Sequence, residues 1–251
     1  MNSIYSSVVA GVMAALISSA AHAGTPAPAP VLTTPEEEGG LEIAATFGYD
    51  SHYIFRGELL QENVFWTEVS VDIPLTENLS LNLTPWFLQD IDTDYNEFDL
   101  TGALTLAAGD WEFSAGYAGY YYPRRSWGGG EGIRDEQEAT LSVSRSFGDF
   151  TATVLSAYSF TRDAFYFEAA AEYKVKVTEK LSLTPGVVFG WDTDYYAPGT
   201  DANHVGLLLT ASYELTPWLS VSPYVAGNLP FGHLRDIRED VYGGVSLTIS
   251  F

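Results

Sequence analysis

From Leu41 to Phe251 the chain alternates apolar and polar side chains with a period of two, and nothing else in it constrains the fold as tightly. At the C-terminus Val241, Gly243, Val245, Leu247, Ile249 and Phe251 alternate with Tyr242, Gly244, Ser246, Thr248 and Ser250. The same parity separates Phe98, Leu100, Gly102, Leu104 and Leu106 from Asp99, Thr101, Ala103 and Thr105, and it returns between Phe165 and Val177. Successive side chains of a strand face opposite ways, so each run has one apolar and one polar face. After the first 23 residues no stretch carries a helical stripe.

Breakers between the alternating runs predict twelve strands, at about 41–56, 63–75, 79–89, 97–107, 111–122, 137–147, 150–160, 164–177, 181–192, 204–215, 219–228 and 241–251. Every second connection is very short, as in Thr76-Glu77-Asn78, Ala108-Gly109-Asp110, Gly148-Asp149, Thr178-Glu179-Lys180 and Thr216-Pro217-Trp218. Those between them run longer, notably Pro123 to Glu136, Thr193 to Asn203 and Leu229 to Asp240. An up-and-down meander puts alternate connections at opposite ends, and one trimmed end facing one loopy end is the pattern of a transmembrane barrel. Three of the short turns share a template that runs from Thr into Leu-Ser-Leu or Leu-Ser-Val.

Alternation alone leaves open a soluble barrel or sandwich with the pattern reversed. Strand lengths near those a tilted bilayer crossing needs favour the membrane. So do Trp66, Trp111, Trp191, Trp218, Tyr53, Tyr121, Tyr195 and Tyr196, which collect near strand ends, where interfaces favour aromatic rings. The expected fold is therefore all-β: a closed, up-and-down antiparallel transmembrane β-barrel of about twelve strands, with strand twelve closing on strand one. Pro85, Pro185 and Pro223 fall inside predicted strands and are expected at bulges.

Residues 1–23 read as an export signal, with an apolar run from Val8 to Ile17 and an Ala21-His22-Ala23 cleavage site, although no Lys or Arg precedes the run. Residues 24–40 read as a Pro- and Glu-rich spacer, which leaves 41–251 for the barrel. Asp and Glu number 33 against 11 Lys and Arg, a net charge of -22 that repels phosphate backbones and speaks against nucleic acid. With Cys 0 there is no disulfide, thiolate metal site or thiol nucleophile. No cofactor motif stands out, and the Asp90, Asp92, Asp94 run lacks the Gly and Glu of a calcium loop, so no metal is expected.

Gly48-Tyr49-Asp50-Ser51-His52-Tyr53-Ile54-Phe55-Arg56-Gly57 on the first strand resembles the Tyr-x-Phe-Arg-Gly element near the start of the mature chain in the TorF-type porin family. The leader, the barrel length and the terminal Phe are similar to that family too. The match lapses after Gly57, where Glu58-Leu59-Leu60-Gln61 stands in place of a small polar stretch. The resemblance implies an outer-membrane pore. In outer-membrane proteins an aromatic last residue is a signal to the barrel-assembly machinery, and Phe251 matches it.

By parity Tyr53 and Phe55 face lipid, whereas Arg56 points inward with His52. The inward acids are Glu42, Asp50, Glu68, Asp72, Asp99, Glu112, Glu168, Glu172 and Glu214, and the inward bases are Arg56, Lys174 and Lys176, which is nine against three. Twelve strands enclose a narrow lumen, and surplus carboxylates in it call for water. The first reading is a passive, water-filled channel in the outer membrane that attracts cations or small cationic and polar solutes. The rival is a closed barrel whose carboxylates pair with loop arginines such as Arg124, Arg125 and Arg134 and whose loops serve structure or adhesion. Catalysis is not expected: a barrel phospholipase needs a His-activated Ser, typically as His-x-Ser, and His52, His204 and His233 have no Ser two residues on.

Overall fold

The computed structural model describes residues 40–123 and 135–251. The expected export signal, the spacer apart from Gly40, and Arg124, Arg125 and Arg134 lie outside the described residues.

The strands are β1 Glu42–Phe55, β2 Glu58–Thr76, β3 Leu79–Asp90, β4 Asn96–Ala108, β5 Trp111–Tyr121, β6 Glu136–Phe147, β7 Phe150–Ser159, β8 Ala164–Tyr173, β9 Val175–Lys176, β10 Leu181–Thr193, β11 Thr200–Thr216, β12 Leu219–Pro230 and β13 Asp240–Ser250. β8 and β9 are two parts of one wall strand, interrupted at Lys174, so the wall has twelve. Each pairs antiparallel with its chain neighbours, and β13 closes on β1 from Ala44↔Ser250 to Asp50↔Gly244. The protein is a closed, all-β antiparallel barrel.

The two parities separate cleanly over most of the wall. Phe47, Leu100, Leu104, Phe113, Leu141, Val154, Phe189, Leu207, Val225 and Val245 are exposed on the outside. Thr84, Thr101, Thr105, Ser114, Ser142, Ser144, Thr210, Ser212, Ser220, Ser222 and Thr248 are buried on the inside. Water-soluble barrels reverse this arrangement, because they have to bury their apolar face.

The three prolines are accommodated without the expected bulges. Each pairs normally on one side, as Pro85↔Leu100, Pro185↔Leu209 and Pro223↔Val245. On the other side the ladder lapses and resumes in unchanged register, from Glu68↔Trp86 to Val71↔Leu83, from Gly186↔Glu172 to Leu183↔Val175, and from Thr210↔Tyr224 to Tyr213↔Val221. A strand residue directs both its backbone groups at one neighbour, so the missing proline donor disturbs one seam and leaves the other intact. The repeated turn template has a local cause as well. Thr76, Thr178 and Thr216 each accept, through Oγ1, a hydrogen bond from the backbone N–H two residues on, at 3.4, 3.2 and 3.4 Å.

Two strands start earlier than the sequence suggests, β2 at Glu58 and β11 at Thr200. The early start of β2 has the larger consequence. The turn between β1 and β2 is only Arg56 and Gly57, both in the left-handed region at φ 51 and 88, which suits a two-residue hairpin. Above Asp50, β1 no longer pairs with β13, and below Val64 in number, β2 does not pair with β3. Between these points the ladder is His52↔Glu62, Tyr53↔Gln61, Ile54↔Leu59 and Phe55↔Glu58. The tip of the first hairpin thus leaves the wall and bends into the barrel. Tyr53 and Phe55, expected at the lipid interface, are 3% and 7% exposed and packed inside. Three further aromatic assignments need correcting, whereas two others hold. Trp66 shares the inward parity of Val64 and lies over Gly48, Tyr195 is buried in the lumen, and Tyr196 packs beside it. Trp111 and Trp218 are exposed on the outside.

Candidate functional site

The lumen has two levels. Towards the long-loop end it is crossed by the β1–β2 hairpin, and towards the short-turn end it is lined by small hydroxyl side chains and acids.

The hairpin tip meets side chains from most of the way around the barrel. Tyr53 packs on Trp86 of β3, and its hydroxyl donates to Glu97 of β4 at 3.3 Å. Phe55 meets Tyr120 of β5 edge to face. Asn228 of β12 donates to the Gly57 carbonyl at 2.8 Å. His204 of β11 lies against Gly57, where an added β-carbon would overlap the imidazole ring. From the β10–β11 loop, the Tyr196 hydroxyl donates to the Arg56 carbonyl at 3.2 Å.

At the centre is Arg56. Its Nη1 and Nη2 donate to Oε1 and Oε2 of Glu138 on β6, both at 2.6 Å, and both side chains are essentially inaccessible, at 1% and 0%. Tyr120 and Tyr195 also donate to Glu138, each at 3.2 Å. The guanidinium carbon lies 4.4 Å from the ring centroid of Tyr166 and 5.2 Å from that of Tyr195. Burial by itself would disfavour the charged guanidinium, but the Glu138 carboxylate beside it holds the Arg56 pKa well above its ordinary value. Burial raises the Tyr195 phenol, so it stays a neutral donor. A residue with a β-carbon costs about 1–2 kcal/mol in the left-handed region. Arg at this turn position is therefore held by its side-chain partners, where Asn or Gly would suit the backbone better. A second pair flanks it: Arg162, from the β7–β8 loop, donates to Glu136 at 2.7 Å and lies over the Tyr195 ring.

The other inward candidates divide between the levels. Asp50 is buried and accepts from Tyr224 at 2.8 Å, Asp99 is buried next to Glu97, and Glu168 accepts from Tyr166 at 3.1 Å. Towards the short-turn end, Asp72 accepts from Asn82 at 3.2 Å, and Glu112 is buried among Ser114 and its neighbours. Glu68, Glu172 and Glu214 are half-buried, Glu42 lies exposed opposite Asp72, and Lys174 and Lys176 sit at and beyond the break after β8. Phe251 is exposed, with its N–H bonded to the Ile43 carbonyl at 2.9 Å. Glu112 Oε1, Thr210 Oγ1, Ser220 Oγ and Ser250 Oγ are buried without a protein hydrogen-bond partner.

Glu97, Glu136 and Glu138 belong with these residues. Glu97 shares parity with Asp99, and Glu136 and Glu138 share it with Ser142, so alternation already directs them inward. What alternation does not carry is their convergence on one hairpin.

The histidines do not assemble a relay among the described residues. Ser51 Oγ is 3.2 Å from His52 Nδ1, but Glu62 is 3.7 Å from Nε2, beyond hydrogen-bond reach, and Arg238 holds Glu62 at 2.7 Å. His233 meets Asp192 at 3.0 Å, and Asp192 also accepts from the Tyr195 and Tyr196 backbone N–H groups.

No family model matches the chain, and no curated protein does. Solved structures match its fold. The COG4313 outer membrane channel from Pseudomonas putida F1 superposes with a TM-score of 0.57 at 12% identity, covering 87% of this chain and 100% of that one. A KdgM porin superposes with a TM-score of 0.51 at 10% identity, covering 84% and 99%. A KdgM porin in complex with disordered oligogalacturonate gives 0.52 at 9% identity over the same shares. At such identities the likeness is one of fold, and the fold is the outer-membrane porin type of β-barrel.

Proposed function

We propose that the protein is a passive channel of the outer membrane for small hydrophilic solutes, with a preference for cations. The observation that carries this reading is the level beneath the hairpin. Its inward positions are mostly Ser, Thr, Gly and Ala, too small to fill a twelve-stranded lumen, and the larger ones are chiefly carboxylates. A lumen lined by hydroxyls and negative charge favours cations over anions wherever water enters it. The barrel would lie with its short turns on the periplasmic side and its long loops outside. Export through residues 1–23 and insertion by the barrel-assembly machinery reading Phe251 belong to the same proposal. The Tyr53-Ile54-Phe55-Arg56-Gly57 element supports a place among TorF-type porins, and no constellation among the described residues favours catalysis.

Refolded protein in a planar bilayer under a potassium chloride gradient should give conductance steps, however infrequent, with a zero-current potential of the sign set by cation flow. Anion preference would defeat the charge argument. The second reading, a non-conducting barrel with structural or adhesive loops, draws on the hairpin that crosses the mouth. It predicts silence even after that hairpin is shortened.

A further inference from the structure

The β1–β2 hairpin from Ser51 to Glu62 is dispensable to the wall: β1 up to Asp50 and β2 from Val64 already complete the ladders to β13 and β3. We infer that this hairpin is a hinged lid that keeps the channel closed at rest, latched at its tip by Arg56 on Glu138, and that separating this pair opens the mouth. The inference rests on the channel reading above.

The hairpin can move as a unit, because its backbone ladder is internal. The tip is joined to the barrel by side chains instead of sheet pairing. The carbonyls of Phe55, Arg56 and Gly57 accept from Tyr196 and Asn228, and the guanidinium reaches Glu138. Bending is needed only where the two strands leave the wall, next to Ser51, whose hydroxyl accepts from the Gly243 N–H at 3.1 Å. The latch chemistry also suits a reversible closure. A buried ion pair roughly balances its mutual attraction against the hydration both groups forgo, so it fixes a geometry without making release prohibitive. Tyr53 and Phe55 pack with Trp86, Leu88 and Tyr120, so opening also exposes these side chains and the closed state is the resting one. The seat is shaped for the tip, since only a glycine at position 57 fits beside the His204 ring. Arg56 accepts a left-handed φ of 51 in order to reach the latch.

Three proteins test this in planar bilayers, each first shown to be folded by heat-modifiable gel migration: the full chain, Arg56→Ala, and a variant in which residues 54–60 are replaced by Asn-Gly, closing the hairpin on the Tyr53–Gln61 pair. The full chain should open rarely, Arg56→Ala should stay open many-fold longer, and the shortened hairpin should conduct continuously. Equal conductance in all three overturns the lid and leaves the channel standing. Silence in all three overturns the channel, and the lid with it. Because the chain has Cys 0, a double variant Arg56→Cys with Glu138→Cys supplies an independent check. It should conduct until a short bismaleimide bridges the two positions and then close, and conductance unaltered by bridging would overturn the latch.

Discussion

Consider the Arg56–Glu138 pair as a question of stability, through Arg56→Met, Glu138→Leu and the double replacement. In the native protein both groups are within 1% of complete burial and joined by two bonds of 2.6 Å. Glu138→Leu alone strands a guanidinium among the rings of Phe55, Tyr166 and Tyr195, and loss of one member of such a pair costs about 3–5 kcal/mol. Arg56→Met alone leaves a carboxylate still receiving the Tyr120 and Tyr195 hydroxyls, so its cost falls at the lower end, about 3 kcal/mol. The double replacement removes both charges and puts apolar groups of similar volume into an aromatic pocket, a change that is often neutral. The two phenols lose their acceptor in Glu138→Leu with or without Arg56, so that loss cancels in the cycle. The coupling should therefore be about 3 kcal/mol or more, read from equilibrium urea unfolding in lipid vesicles by Trp fluorescence. Swinging the lid outward to hydrate a stranded charge would cap the cost of each single replacement without abolishing the coupling. Additivity of the two replacements to within about 0.5 kcal/mol would refute a formed and buried pair.

Other expectations follow from the two faces of the wall. Leu141 and Ser142 are adjacent in mid-β6, one exposed on the outside and the other buried on the inside. Leu141→Arg should cost about 2–4 kcal/mol in vesicles if it lies near the bilayer midplane, and Ser142→Arg should cost less because it faces the lumen. The reverse order would mean that the faces are exchanged. Gly48→Leu should block refolding because a side chain there runs into the Trp66 indole, whereas Gly206→Ala, where the nearest atom to an added β-carbon is 3.6 Å away, should refold normally by the same gel-shift assay. Replacing Asp72 by Asn together with Glu112 by Gln should bring the cation-to-anion permeability ratio of the shortened-hairpin channel towards unity. The effect should be largest at low ionic strength, where lumen charges are least screened.

Most of the wall was legible because a strand in a membrane barrel has one dry and one wet face, and side-chain chemistry records which is which. The runs at Phe98–Leu106 and Val241–Phe251 follow alternation residue for residue. The turns were legible for a different reason, since Gly109 and Gly148 mark reversals and Thr at 76, 178 and 216 supplies the same bond to the backbone. The prolines were legible as tensions but not in their outcome, because a sequence does not reveal which neighbouring seam a proline's missing donor faces.

The first hairpin escaped this logic for a physical reason. Parity assigns faces only where one face meets lipid. Once β1 and β2 leave the wall at Asp50 and Val64, both faces of the ribbon meet protein, and Tyr53, Ile54, Phe55 and Arg56 are all buried, whatever their parity. An apolar residue there signals packing against the lumen, and a charged one signals a partner across it. The same four residues would read as an ordinary interfacial strand end if the chain were two-dimensional. Their meaning depends on Glu138, which lies 82 positions away along the chain and 2.6 Å away in space. The clue within the sequence was Arg56 in a tight turn beside Gly57, where Asn or Asp usually stands. A residue that accepts an unfavourable backbone conformation has to be held by its side chain, and here the hold is a carboxylate inside the barrel.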